Sequence, residues 1–138
     1  MKKLSLLFFI LMLGMGAFAQ ATYSWSGAID GNWNKAGNWI GNAVPNGGSI
    51  LSFGNDNQLT MTNNLPATTF HQIIFTNAAT KSRIITGTTE NIFYDYSGKK
   101  PKIENNSSAN QTINFPLKWG NSAMELNPVK GDLTITSK

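Results

Sequence analysis

From Ser49 onward, apolar residues recur at every second position in short runs, and Gly, Asn, Pro and Ser separate one run from the next. A period of two puts alternate side chains on opposite faces of an extended strand, whereas a helix needs a sustained period near 3.6, which no stretch here shows. The chain after its N-terminal segment is therefore expected to be all-β. The expected strands are Ser49 to Phe53, Gln58 to Met61, Phe70 to Phe75, Arg83 to Thr86, Asn91 to Tyr96, Lys102 to Asn105, Gln111 to Leu117, Ala123 to Leu126 and Asp132 to Thr136. The clearest alternations are Ile113, Phe115 and Leu117 against Thr112, Asn114 and Pro116, and Leu133 and Ile135 against Thr134 and Thr136. Each puts one apolar row inward.

Strands at this spacing fit a β-solenoid with two or three short strands per coil, and they fit a β-sandwich as the alternative. Turns of irregular length, in place of two-residue hairpin turns, favour the solenoid. Composition adds to this. There is no cysteine, so packing and backbone ladders must hold the fold without disulfides. Asn, Ser and Thr supply 40 of the 119 residues from Gln20 onward, and such side chains suit hydrogen-bonded ladders between stacked strands.

The N-terminus reads as a secretion signal. Met1-Lys2-Lys3 is a positive leader, Leu4 to Leu13 an apolar run, and Ala17-Phe18-Ala19 a small-x-small cleavage site, so the mature chain is expected to start at Gln20. The apolar run is about half the roughly 20 residues of a spanning helix, so no membrane span is expected after cleavage. Removing Lys2 and Lys3 lowers the formal charge from +4 to +2, which gives no reason to expect a nucleic-acid partner. The protein is expected to be secreted or displayed at the cell surface.

Three of the four tryptophans lie close together, in Trp25-Ser-Gly-Ala-Ile-Asp-Gly-Asn-Trp33-Asn-Lys-Ala-Gly-Asn-Trp39. They are expected to cap the open end of a solenoid, whose first coil otherwise exposes apolar side chains and unpaired strand edges. The alternative role for Trp25, Trp33 and Trp39 is stacking on the sugar rings of a surface glycan, with Asn32, Asn34 and Asn38 as amide partners.

Trp25-x-Gly27, Gly31-x-Trp33, Asn38-Trp39, Pro45, Gly48 and Phe53, in that order, resemble the opening motif of bacterial autotransporter-associated β-strand repeat proteins. Ile73-Ile-Phe75, Ile84-Ile-Thr-Gly87, Ile103-Glu-Asn-Asn, Asn110-Gln-Thr-Ile-Asn-Phe-Pro-Leu117 and Gly131-Asp-Leu-Thr-Ile135 resemble that family's successive rungs. The resemblance implies a right-handed parallel β-helix outside the cell, usually one segment of a longer repetitive protein. It divides the chain into a signal peptide (1–19), a Trp/Asn/Gly-rich cap (20–48) and solenoid rungs (49–138). The sequence departs from the family in carrying few rungs and no pore-forming barrel. The partners expected are further rungs of a longer chain, or a second copy joined through the open C-terminal rung.

No residue constellation here points to catalysis, a cofactor or a metal. Asp30-x-Asn32-x-Asn34 matches the first half of a calcium loop, but Lys35 stands where the turn needs glycine and Gly41 where a bidentate Glu belongs. His71 is the single histidine, and its parity sets it beside Ile73 and Phe75 as a packed residue. Asp56, Glu90, Asp95, Glu104 and Glu125 are scattered over turns and strands. A polysaccharide-cleaving β-helix built on a pair of them is the enzymatic alternative to a structural or adhesive module.

Overall fold

The computed structural model describes residues 20–120 and 122–136, so the expected signal segment lies outside the described residues. Eleven strands follow in order: β1 (Thr22–Ser24), β2 (Ser49–Phe53), β3 (Thr60–Asn63), β4 (Thr69–Phe75), β5 (Arg83–Gly87), β6 (Asn91–Phe93), β7 (Lys102–Asn105), β8 (Gln111–Asn114), β9 (Leu117–Trp119), β10 (Glu125–Pro128) and β11 (Leu133–Ile135). Every pairing between these strands is parallel. One sheet runs β1-β2-β4 and then divides, β4 pairing with β6 at its start and with β7 further along. The other runs β3-β5-β8-β11. From β2 onward consecutive strands do not pair, and each strand lies on one a full coil earlier, as β2 itself lies on β1. The molecule is a parallel β-solenoid of about five turns, and not a sandwich.

Stacking in register turns the period-2 pattern into columns. Leu51, Ile73 and Ile103 lie over one another in the first sheet, and Met61, Ile85 and Ile113 do so in the second; all six are buried. Phe53 and Phe75 stack with centroids 5.5 Å apart, and Phe70 meets Phe93 edge-on at 6.0 Å. Each buried aromatic or branched side chain stabilises the fold by about 1.5–3 kcal/mol through area removed from water, and the columns of the two sheets join in one core.

The corners need polar groups inside, because a coil that turns leaves backbone N–H and C=O groups facing the interior. Asn105 is fully buried and meets this need at one corner. Its amide nitrogen donates to Ala109 O and Asp132 O, each at 2.9 Å, and its Oδ1 accepts from the amide of Ser107 at 3.1 Å and its hydroxyl at 2.7 Å. Gln111 joins the cluster through Ser107 Oγ at 3.0 Å. At another corner Asn63 donates to Asn91 Oδ1, again between buried side chains. Gly87 lies beside this pair, where a Cβ would come 2.6 Å from Asn63 O.

Several expected strands shift, each for a local reason. Gln58 has φ 50°, a left-handed turn conformation, so β3 starts at Thr60 and runs on to Asn63. The stretch from Gln111 to Leu117 breaks at Phe115-Pro116, and Leu117 therefore opens the strand of another sheet instead of continuing the row of Ile113 and Phe115. Asn91 to Tyr96 ends at Phe93, after which the chain leaves the coil as a tongue closed by a Tyr96–Lys99 bridge, with Ser97 and Gly98 at positive φ. The last expected runs, Ala123 to Leu126 and Asp132 to Thr136, are observed as Glu125–Pro128 and Leu133–Ile135. Thr22–Ser24 was not expected as a strand, yet it pairs with β2, so the solenoid sheet begins within the segment assigned to the cap.

Asn105→Ala deletes four hydrogen bonds at a closed corner and leaves the Ser107 amide without its acceptor, while Ala109 O and Asp132 O keep the donors of Ser107 and Gln111. The substitution is expected to lower the unfolding free energy by about 2 kcal/mol, read from urea denaturation with an unchanged slope.

Candidate functional site

The N-terminal segment closes the upper end of the solenoid. The amides of Ser26 and Gly27 donate to Asn38 O at 2.8 and 3.2 Å, and the Ile40 amide donates to Ser24 O at 2.8 Å, tying the returning chain along the end of β1. The stretch from Gly31 to Trp33 lies on β3: the Thr62 amide donates to Gly31 O at 2.8 Å, and the Trp33 amide to Thr62 O at 3.1 Å. The cap thus supplies a partial rung for each sheet and pairs edge groups that an open end leaves bare.

Trp25, Trp33 and Trp39 point into that end and are at most 1% exposed. Trp25 and Trp39 meet edge-on at 5.0 Å, Trp33 and Trp39 at 5.9 Å, and Trp33 stacks on Phe53 at 5.6 Å. The Trp39 indole donates to Trp33 O at 2.8 Å, whereas Trp33 Nε1 has no hydrogen-bond partner among the described residues. Since their faces are covered by one another and by phenylalanines, these rings have no surface on which a sugar can stack. The exposed tryptophan is Trp119, 54% accessible at the opposite end, which the sequence pattern did not single out.

Asp30, Asn32 and Asn38 form a closed polar knot under the cap. Asn38 Oδ1 accepts from the amides of Ile29 and Asp30, and its Nδ2 donates to Asp30 Oδ1 at 2.7 Å and Asn32 O at 2.9 Å. Asp30 also accepts from the Asn32 amide at 2.8 Å, and chiefly this bond holds its carboxyl below the ordinary carboxylate range. Asn32 Oδ1 accepts from Asn64 at 3.1 Å. The side-chain oxygens of Asp30 and Asn32 are therefore occupied by amides, with Lys35 3.8 Å from Asp30.

The remaining carboxylates are held separately. Asp56 accepts from the Thr80 hydroxyl and the amides of Thr80 and Lys81, with the Thr80 hydroxyl the main cause of its lowered pKa. It lies 3.5 Å from Arg83, a buried guanidinium over the Phe75 ring. Glu104 is held low first by Lys102 at 2.8 Å, then by Asn106 and Asn127. Glu90 lies 3.7 Å from Lys118, Asp95 accepts from Ser122, and Glu125 stacks on Lys102. Among the described residues no three of His, Cys, Asp and Glu gather as a metal site. His71 is the extra residue in a β-bulge, since Ser49 pairs with Phe70 while Ile50 pairs with Gln72. It is buried against the tongue, with Nδ1 2.9 Å from Tyr94 O and its ring 6.0 Å from that of Tyr96.

Two surfaces distinguish the outside of the solenoid. Among the described residues nothing covers the lower end: Trp119 and Leu126, which continue the columns of Phe93 and Ile103, are more than half exposed. Glu125 and Val129 donate their amides upward to Pro101 O and Asn105 O, so alternation turns the backbone groups of Leu126 and Pro128 toward the free edge. Pro128 has no N–H and removes one donor from it. The second surface is the outward side of β3-β5-β8-β11, where Thr60, Ile84, Thr112 and Thr134 form one row and Thr62, Thr86 and Asn114 the next. A groove of about 690 Å³ borders this second row, lined among others by Asn64, Thr88 and Pro116.

Iodide is expected to quench a single class of tryptophan, and Trp119→Phe to remove that quenchable emission while Trp25, Trp33 and Trp39 stay protected. Trp33→Ala opens the centre of the cap and is expected to cost about 3–5 kcal/mol in denaturation experiments. For Glu104, a depressed folded-state pKa means that its contribution is present above the ordinary carboxylate value and lost as pH falls through the lower folded one. Stability measured by urea at falling pH is therefore expected to drop below about pH 4, with a shallower drop in Glu104→Gln.

Protein-family models, curated proteins and solved structures contain no match to this chain.

Proposed function

We propose that the chain is an exported, non-enzymatic structural or adhesive β-solenoid module, of the kind implied by its resemblance to autotransporter-associated β-strand repeat passengers. The observation that carries this reading is the use of the side chains. Apolar residues fill interior columns, Asn and Gln close the corners, and the outward rows bear short hydroxyl and amide groups on a continuous ladder. Such a stack is rigid along one axis and extends by adding coils, which suits display of a surface at a distance from the cell. The open lower edge fits the same role. Its free strands accept a further layer, either the next rung of a longer chain or a second copy.

A carbohydrate-binding reading is favoured by one observation. Trp119 is 54% exposed and Tyr94 42% exposed, and the Tyr94 ring lies against Gly120, the residue after Trp119.

Expression of the full chain in a bacterial host tests the export reading. The expected product is extracytoplasmic and begins at Gln20, as read by N-terminal sequencing; an unprocessed cytoplasmic product contradicts it. Light scattering of the purified product is expected to show concentration-dependent association that Leu126→Lys weakens. A glycan array response lost in Trp119→Ala would select the carbohydrate reading instead.

A further inference from the structure

The outward side of the β3-β5-β8-β11 sheet is chemically unlike the rest of the surface. Thr60, Ile84, Thr112 and Thr134 are in register in one row, and Thr62, Thr86 and Asn114 in the next. Thr136 extends the second row, its amide donating to Ile113 O at 2.9 Å. Six of these eight positions are threonine and none is charged. The outward side of the other sheet, by contrast, carries Lys102, Glu104, Lys118 and Glu125.

From this array we propose that the threonine face binds crystalline ice. The inference goes beyond the structural reading above and depends only on the fold, not on export. Parallel pairing sets successive positions in a row about 4.7–4.9 Å apart, with Thr62 next to Thr86 and Thr112 next to Thr134, and the two rows are about 6.6–6.8 Å apart along the strands. The shorter repeat agrees to within a few tenths of an ångström with the short lattice repeat of hexagonal ice. A dissolved ligand has no use for threonine repeated over four rungs in two rows, whereas a crystal face presents its own identical groups at every repeat.

The side chains suit that surface in three respects. Threonine offers a hydroxyl that can take a place in the water lattice and a methyl that fills the space between lattice sites. A charged group, by comparison, keeps a hydration shell that ice cannot incorporate. Branching at Cβ restricts χ1, so the array is stiff before it meets the crystal. Two hydroxyls are further fixed by the backbone one coil earlier, Thr86 Oγ1 donating to Met61 O at 3.2 Å and Thr136 Oγ1 to Ile113 O at 3.5 Å. Little conformational freedom is left to lose on binding, the condition under which many weak contacts add up to adsorption.

The purified protein is tested for inhibition of ice recrystallisation in frozen sucrose and for shaping of single ice crystals, with serum albumin as the baseline. Slowed grain growth and faceted crystals are expected. Thr86→Lys places a long cation at the centre of the array, and Thr112→Lys does so in the other row; either, with an unchanged circular dichroism spectrum, is expected to return growth to the albumin level. Asn127→Lys adds the same charge to the opposite face beside Glu104, and is expected to leave the activity intact. Wild-type protein that leaves ice growth at the baseline overturns the proposal. So does retained activity in a folded Thr86→Lys or Thr112→Lys variant, or equal loss in Asn127→Lys.

Discussion

A parallel ladder ties the fate of each residue to that of the residue one coil away. Leu51 pairs with Ile73, and Ile73 with Ile103, so a side chain pointing inward at one level must fit the inward side chains above and below it. A slip of one residue turns every interior group to solvent. The fold meets this constraint by repeating size as well as polarity. Leu51, Ile73 and Ile103 form one column, Met61, Ile85 and Ile113 another, and Phe53 lies on Phe75. Where coils differ in length, the excess is expelled sideways, as in the tongue after Phe93 that separates β6 from β7 while both still rest on β4.

The same ladder explains why the two ends differ. A column needs a last member, and at the upper end three indoles and Phe53 interlock beneath a segment whose backbone pairs with Ser24, Ser52 and Thr62. At the lower end the columns finish in Trp119 and Leu126, which remain accessible. Pro128 limits what can pair with β10 there but leaves β9 and β11 free of proline, so the end is partly guarded.

Much of this was legible in the sequence because period-2 runs report a strand wherever one face is buried. Ser49–Phe53 and Lys102–Asn105 fall where alternation puts them, and the three indoles are buried together. What was hidden depended on register and on single backbone angles. The positive φ of Gln58 and the corner at Pro116 moved strand ends, and the bulge at His71 put both Phe70 and His71 inside, which no strict alternation allows. The threonine rows were invisible because their members lie more than twenty residues apart, and only the pairing of Thr62 with Thr86 and of Thr86 with Asn114 brings them together. Trp119 went unremarked because an isolated tryptophan gives no sign of whether another coil covers it.

From β2 onward the strands pair across coils and not with the strand that follows them in sequence. Nuclear Overhauser contacts between backbone protons test it most directly. The solenoid predicts HN–Hα contacts linking Met61 with Ile85 and Ile85 with Ile113, without strong Hα–Hα contacts, since parallel strands do not bring α-protons together. Strong Hα–Hα contacts between strands consecutive in sequence, such as β4 and β5, would contradict it and show an antiparallel fold.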